Sequence, residues 1–194
     1  MSAEAAVDAT NPEIEQKIAV AKEKKDAGDQ AFKSGDIQNA LLSYHQAILY
    51  LQGLYKNTMG PAPPINAEGE PEKPKTEADE ILEKIYANMA QCHIKRSNWK
   101  RAVETADKAL AKNPKNSKVL FRKAKGLGEL GHFEKAEKIL EELLKEDSSD
   151  AASVKAELER LRALDKEREK KHNQKFKGFL NKSEKAAGKA PETS

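Results

Sequence analysis

The chain has 194 residues, of which 35% are charged, 38% hydrophobic and only 5% aromatic, and its formal net charge is +3. This balance excludes full disorder and also a thick compact core, and it favours a thin helical array in which each helix buries one apolar stripe. A net charge of +3 is far from the strong basic footprint of a nucleic-acid-binding domain, so we expect no nucleic-acid partner.

Cysteine content and hydropathy indicate the compartment. The single cysteine, Cys92, cannot form an internal disulfide, which favours a reducing environment. No apolar run approaches the roughly 18 residues that a membrane-spanning helix needs. The first residues, Met1 to Glu4, also lack the basic-then-apolar pattern of a signal peptide. The sequence therefore predicts a cytoplasmic protein with no membrane partner.

The first predicted elements form a pair of helices that follows a disordered tail at 1–11. Ala27 and Gly28 lie in the first helix, Gly35 lies at the turn, and the second helix carries small and aromatic residues at spacings of four and three. A long segment follows, at about 59–76, that contains two glycines and many prolines: Pro61, Pro63, Pro64, Pro71 and Pro74. Proline excludes helix and sheet interiors, so we expect a flexible loop there.

Two further helix pairs are predicted from a repeat of small residues. Ala90 and Ala124 are 34 residues apart, and so are Ala102 and Ala136. Ala40 precedes Ala102 by one such period plus an extra segment. That extra segment is the proline-rich insert, and it separates the first repeat from the second.

The C-terminal part is predicted to be one long helix at 151–186 that caps the array, followed by a disordered tail at 187–194. Val154, Leu158, Leu161 and Leu164 recur at helical spacing with charges between them. Repeat arrays need a cap of this kind, because their last repeat would otherwise expose an apolar face.

These patterns resemble the tetratricopeptide-repeat (TPR) family, which has the same repeat period. The resemblance implies an all-α fold, a right-handed α-solenoid of three TPR helix pairs over 12–150 with the long C-terminal capping helix. The proline-rich insert and the long final helix are similar to those of the tetratricopeptide repeat protein 9 family. The final helix is also similar to the one that follows the repeats in TPR immunophilins.

A subset of TPR proteins carries a carboxylate clamp, a set of donors on three helices that binds the C-terminal peptide of a chaperone. The family pattern is a Lys and an Asn one turn apart, then an Asn, then a Lys and an Arg one turn apart. Lys25, Asn88, Lys118 and Arg122 match four of the five positions. Two converging carboxylates of a peptide need several cationic or N–H donors. Phe121, beside Arg122, is expected to contact an apolar side chain of the peptide.

The fifth clamp position departs from the family pattern, since Asp29 stands where the family has Asn. An ionised Asp cannot donate a hydrogen bond, and it brings negative charge to a site for carboxylates. Asp29 is also one turn from Lys25 and could pair with it. The mismatch is expected to lower the affinity for an acidic chaperone peptide by roughly tenfold to a hundredfold, or to shift the preference of the site to a different tail.

Two functions follow from the resemblance. The first is a non-enzymatic co-chaperone adaptor that binds the Glu-Glu-Val-Asp type tail of heat-shock protein 90 or its 70-kDa relative. The alternative is a TPR scaffold for another peptide or protein partner, because of Asp29. The catalytic domain of TPR immunophilins lies ahead of the repeats, and the given sequence leaves no room for it before the first predicted helix; this argument weakens if the chain is a fragment of a longer protein. We expect a monomer with no cofactor, no metal site and no catalytic residue.

Overall fold

The computed structural model describes residues 12–52, 54, 76–145 and 150–187, with side chains described as far as residue 175. Regular structure in these ranges is entirely helical. The helices are α1 (Pro12–Lys33), α2 (Ile37–Gln52), α3 (Glu77–Lys95), α4 (Trp99–Leu110), α5 (Ser117–Glu129), α6 (Phe133–Lys145) and α7 (Ala151–Ala187). The predicted tail at 1–11 and nearly all of the predicted loop at 59–76 lie outside the described residues. Of the predicted tail at 187–194, only residue 187 lies within the described residues.

The helices form three antiparallel pairs, and consecutive pairs stack. Within each pair the first helix packs on the second, and α1, α3, α5 and α7 also contact one another in sequence along one face. The turns of the first and third pairs contain Gly35 and Gly131, with φ of +87° and +86°. Glycine adopts this left-handed conformation without steric cost. Ser97 has the same sign of φ, 54°, at the turn of the second pair.

The predicted small residues form the contacts between helices. Ala40, Ala90, Ala102, Ala124 and Ala136 are all completely buried. Because a methyl group is short, two helix backbones can approach closely at each of these positions. Larger apolar side chains fill the remaining space in a continuous succession of clusters along the stack. The predicted α-solenoid of three helix pairs is therefore confirmed.

Local capping fixes where three of the helices begin. Thr76 forms a reciprocal capping box with Asp79 at the start of α3. The side chains of Asn98 and Asn116 accept hydrogen bonds from backbone N–H groups three residues ahead, at the starts of α4 and α5. Each cap satisfies a donor that the first helical turn leaves without an intrahelical partner.

The final helix, α7, has a packed part and a projecting part. Val154, Leu158 and Leu161 are buried against α5 and α6, so the helix caps the stack as predicted. From residue 166 to residue 175 every side chain is exposed. Within the described ranges, no helix combines the length and the apolar character that crossing a membrane would require.

Candidate functional site

The concave face of the stack carries a cavity of about 540 Å³. It is bounded by the C-terminal parts of α1 and α3, the first turns of α5, and the beginning of α7. Its lining includes Phe32, Gln91, Lys95, Lys118, Phe121, Arg122, Ser153 and Val154. Asp150, just before α7, adds a carboxylate to this lining. The cavity therefore mixes cations, aromatic rings and aliphatic groups with one described carboxylate, a composition that suits a peptide.

The six predicted site residues lie in two neighbouring groups. Lys118, Phe121 and Arg122 line the cavity directly. Lys25, Asp29 and Asn88 form a second cluster, which we call the Asp29 cluster together with Tyr44 of α2. This cluster lies about one helical turn before the cavity, because Asp29 precedes Phe32 on α1 and Asn88 precedes Gln91 on α3.

Asp29 is the centre of its cluster, and its carboxylate accepts hydrogen bonds from three side chains. Lys25 Nζ donates to Oδ2 at 2.7 Å. The Tyr44 hydroxyl and the amide Nδ2 of Asn88 both donate to Oδ1, at 2.6 Å and 2.8 Å. Two groups that the clamp pattern would offer to a ligand, Lys25 and Asn88, are therefore directed to a carboxylate of the protein itself.

The electrostatics of the cluster favour an ionised Asp29. Burial alone would raise the pKa of Asp29, but the hydrogen bonds and charge of Lys25, with the donors Tyr44 and Asn88, outweigh burial and lower it. Burial opposes the charge on Lys25 too, yet Asp29 and Asp26 raise the pKa of that ammonium. Burial and the adjacent Asp29 raise the pKa of Tyr44, so this hydroxyl remains a donor. The cluster is a stable ion pair throughout the physiological range.

A glycine on α1 lets Tyr44 reach this position. A Cβ atom at Gly28 would lie 2.6 Å from Cε1 of Tyr44, which is closer than side chains approach one another. Gly28 is buried, and the fully buried ring of Tyr44 packs against the backbone of α1 there. The hydroxyl then emerges beside Asp29, one residue further along the helix.

Arg122 has a different environment from Asp29. Its Nη1 donates a 2.7 Å hydrogen bond to the backbone carbonyl of Ala87 on α3, which fixes the guanidinium at the wall of the cavity. Burial lowers the pKa of Arg122 by desolvating the charged form, and no carboxylate of the described part of the chain lies within ion-pair distance to offset this. Arg160 and Arg162 are each bonded to two glutamates, and those partners raise both of their pKa values. Arg122 is thus a partly desolvated cation to which the described residues offer no acidic partner.

Sequence reasoning missed two residues that shape the cavity. Phe32 of α1 and Lys95 of α3 both line it, and Lys95 Nζ lies 4.6 Å from the centroid of the Phe32 ring. A signal was present, since Phe32 follows Asp29 by three residues and Lys95 follows Asn88 by seven. These spacings return to the same helix face.

Groups that could support other chemistry are placed in the core. Cys92 is buried, and burial raises the pKa of its thiol to about 11, which leaves it a poor nucleophile. His93 is 5% exposed and occupies a packing position of α3. Across the described residues, no three His, Cys, Asp or Glu side chains are grouped so that they could hold a metal ion.

Comparison with known proteins is consistent with this architecture. A tetratricopeptide-repeat family model matches residues 93–161. FK506-binding protein 5 of Rhizopus delemar is 29% identical over 119 residues, and the peptidyl-prolyl cis-trans isomerase FKBP42 of Arabidopsis thaliana is 26% identical over 177. These matches cover 61% and 91% of this chain. The chain spans only 28% and 45% of the length of the two relatives.

Solved structures share the fold at low identity. The C-terminal TPR-containing domain of a putative FK506-binding protein from Plasmodium falciparum has a TM-score of 0.65 at 20% identity, covering 81% of this chain and 95% of that one. The first TPR domain of Spaghetti (RPAP3), bound to the HSP90 peptide SRMEEVD, has a TM-score of 0.53 at 17% identity, covering 76% and 94%. The TPR2B domain of yeast Sti1, in a complex with pHsp70, has a TM-score of 0.57 at 17% identity. That match covers 75% of this chain and 98% of the Sti1 domain.

The stacked helix pairs and their open concave face define an α-solenoid repeat protein. The regular period of the buried alanines, the family match and the shared fold identify the repeats. Residues 93–161 match the tetratricopeptide-repeat family, and the described stack shares the fold of a solved tetratricopeptide-repeat domain. Its resemblance to the tetratricopeptide repeat protein 9 family stays a prediction.

Proposed function

We propose that the chain is a non-enzymatic co-chaperone adaptor whose concave cavity binds the acidic C-terminal peptide of a heat-shock chaperone. The observation that carries the proposal is Arg122, a partly desolvated guanidinium that lacks an acidic partner within the described chain and faces the cavity beside Lys118. A peptide carboxylate would supply the missing partner through charge-assisted hydrogen bonds. Phe121 and Phe32 line the same cavity and would contact an apolar side chain of the peptide.

The peptide-bound structures support the choice of ligand. The RPAP3 domain holds a heat-shock protein 90 peptide, SRMEEVD, and the Sti1 domain is in a complex with pHsp70. Both share the fold of this chain. The family's clamp positions are matched here by Lys25, Asn88, Lys118 and Arg122, and the proposal assigns these residues to the peptide.

In this account Asp29 lowers the affinity of the cavity and does not abolish binding. Its carboxylate accepts hydrogen bonds from Lys25 and Asn88, so these two side chains must reorient before they can contact a ligand. Lys118 and Arg122 require no such change. We therefore expect the chaperone peptide to bind roughly tenfold or more weakly than it would to a clamp with Asn at this position.

The proposal is tested by calorimetric titration with the pentapeptide Met-Glu-Glu-Val-Asp, as the free acid and with an amidated C-terminus. We expect the free acid to bind and the amide to bind at least about tenfold more weakly, because one carboxylate is removed. Arg122→Ala should abolish binding. Arg162→Ala is the matched control, since Arg162 is exposed and paired with Glu137 and Glu141 away from the cavity. Equal binding of both peptides, or equal loss in both variants, would refute the proposal.

A second function, a scaffold for a different peptide or protein, is favoured by the same Asp29 cluster. With Lys25 and Asn88 held by Asp29, the remaining cations at Lys95, Lys118 and Arg122 suit a ligand with a single carboxylate. This function predicts that the chaperone peptide does not bind wild type, whereas a pull-down with wild type recovers a partner that Arg122→Ala loses.

A further inference from the structure

Helix α2 differs from every other helix that the structure describes, because it contains no Asp, Glu, Lys or Arg among its 16 residues. The chain as a whole is 35% charged, and each of the other six described helices carries charges of both signs. A helix on the outer surface of a solenoid would ordinarily present charges to water. Depletion of charged residues together with exposed apolar and aromatic side chains is typical of the centre of a protein interface.

The exposed side of α2 carries large apolar groups. Leu42 is 55% exposed, Leu49 is 70% exposed and Tyr50 is 42% exposed. We define the α2 stripe as the exposed positions that follow one another at spacings of four and three residues: Gln38, Leu42, His45, Leu49 and Gln52. This alternation is the repeat by which one helix packs along another. The stripe thus has two exposed leucines, with His45 between them and a glutamine at each end.

Cations border the α2 stripe on both sides. Towards α1, a depression of about 400 Å³ is lined by Leu49, Tyr50 and Lys24. Towards α4, a cleft of about 260 Å³ is lined by Arg101 and Lys108, with further groups from α2 and α3. In the described chain, none of these three cations has a carboxylate within ion-pair distance, although Lys108 lies 5.9 Å from the Tyr86 ring centroid.

Acidic groups are scarce around the α2 stripe. Glu104 is the one carboxylate among the described residues that line the two depressions. His45 and His93 lie in the cleft as well, and burial together with Arg101 lowers both of their pKa values, so neither adds a charge near neutral pH. The rim is therefore positive, while the stripe itself is uncharged.

We propose that the α2 stripe is a docking surface for an acidic amphipathic helix of a partner protein, separate from the concave cavity. The apolar side of the incoming helix would cover Leu42 and Leu49, and its acidic flanks would meet Lys24 on one side and Arg101 and Lys108 on the other. A second copy of this chain fits less well. In a symmetric pairing of two α2 helices, the cationic rim of one copy would lie against the cationic rim of the other, and like charges repel. The proposed surface gives the adaptor a second binding face.

The experiment uses the full chain and two fluorescent helical peptides that share leucines at alternating spacings of four and three. One peptide has glutamate at all flanking positions, and the other has lysine there. Fluorescence anisotropy measures affinity, and amide chemical shifts locate the contact. We expect the glutamate peptide to bind at least about tenfold more tightly than the lysine peptide and to shift resonances of α2 and α4.

Variants test the two parts of the surface separately. Leu49→Asp should abolish binding of the glutamate peptide, and the pair Arg101→Glu and Lys108→Glu should weaken it about tenfold. Leu130→Asp is the matched control, since Leu130 is 41% exposed but lies after α5. None of these changes should alter binding of Met-Glu-Glu-Val-Asp, so failure here is distinguishable from failure of the cavity proposal.

Three results would overturn the proposal. The first is equal affinity for the two peptides, and the second is unchanged binding by Leu49→Asp. The third is a monomer–dimer equilibrium in sedimentation that Leu49→Asp removes, because it would make a second copy the occupant of the stripe.

Discussion

Asp29 determines how many donors the concave face can present to a ligand. In the clamp pattern this position holds Asn, which can donate and accept; in this chain it holds an acceptor that is already bonded to three side chains. The identity of this one side chain therefore controls whether Lys25 and Asn88 are available to a ligand. At this scale the chemistry of the site depends on the protonation state and the neighbours of one carboxylate.

The Asp29 cluster should make the stability of the protein depend on pH in the acidic range. The pKa of Asp29 is lower in the folded chain than its ordinary value of 3.8. The cluster therefore stabilises the fold above that value, and the contribution is lost as the pH falls through the folded pKa.

Urea denaturation measures this effect. We expect Asp29→Asn to cost about 1–3 kcal/mol of unfolding free energy at neutral pH, because charge-assisted hydrogen bonds are lost. The difference from wild type should shrink below about pH 4, as wild-type Asp29 becomes protonated. Asp26→Asn is the control, since Asp26 is largely exposed and contacts only Lys25 among the described side chains. A difference that is constant with pH would contradict the ionised cluster.

At the scale of the helices, the contact between α5 and α7 depends on the absence of a side chain at Gly128. A Cβ atom there would overlap the Cδ atoms of Leu161, which is 2% exposed and packed in the core. Gly128→Ala should therefore destabilise the protein by about 1–3 kcal/mol through overpacking. The measurement is thermal or denaturant unfolding.

A double-mutant cycle distinguishes overpacking from loss of the glycine itself. Leu161→Ala alone should cost about 2–5 kcal/mol, because it opens a cavity. Combined with Gly128→Ala, it should cost less than the sum of the two single changes, since the alanine methyl group partly fills that cavity. Strict additivity would show that the two positions do not meet.

The helix pairs could be predicted from the sequence because their determinants are local and periodic. Ala90 and Ala102 recur one repeat later as Ala124 and Ala136, and the buried faces of the helices follow from that spacing. The arrangement of the Asp29 cluster could be predicted only in part. The pairing of Asp29 with Lys25 follows from a spacing of four residues along α1.

The remaining contacts of the cluster depend on packing between helices. Tyr44 reaches Asp29 because Gly28 admits its ring, and Asn88 comes from the next pair, 59 residues away in sequence. Periodicity predicts which residues share a face, but it does not predict which atoms meet across two faces. For the same reason Phe32 and Lys95 were missed, although both stand at regular spacings from predicted site residues.

The whole molecule has two faces of different chemical character. The concave face has cations at the wall of a cavity, and the outer face has the uncharged α2 stripe with a cationic rim. An adaptor can use such faces to hold two partners at once, because neither surface covers the other.

Binding of the acidic peptide to the concave face should weaken as salt is added, because exposed charges such as Lys118 contribute through Coulomb attraction that salt screens. We expect the dissociation constant to rise by several-fold between low and physiological ionic strength. Lys118→Gln should bind more weakly than wild type and show a smaller dependence on salt. An affinity that does not change with ionic strength would argue against a carboxylate site.

The most direct test of the account is a side-by-side titration of wild type and Asp29→Asn with Met-Glu-Glu-Val-Asp as the free acid. If the concave cavity binds carboxylates and Asp29 occupies two of its donors, the Asn variant should bind about tenfold more tightly. The same substitution should increase the affinity for the amidated peptide by a smaller factor. Weaker or unchanged binding by Asp29→Asn would contradict the account, because it would show that Lys25 and Asn88 take no part in holding the peptide.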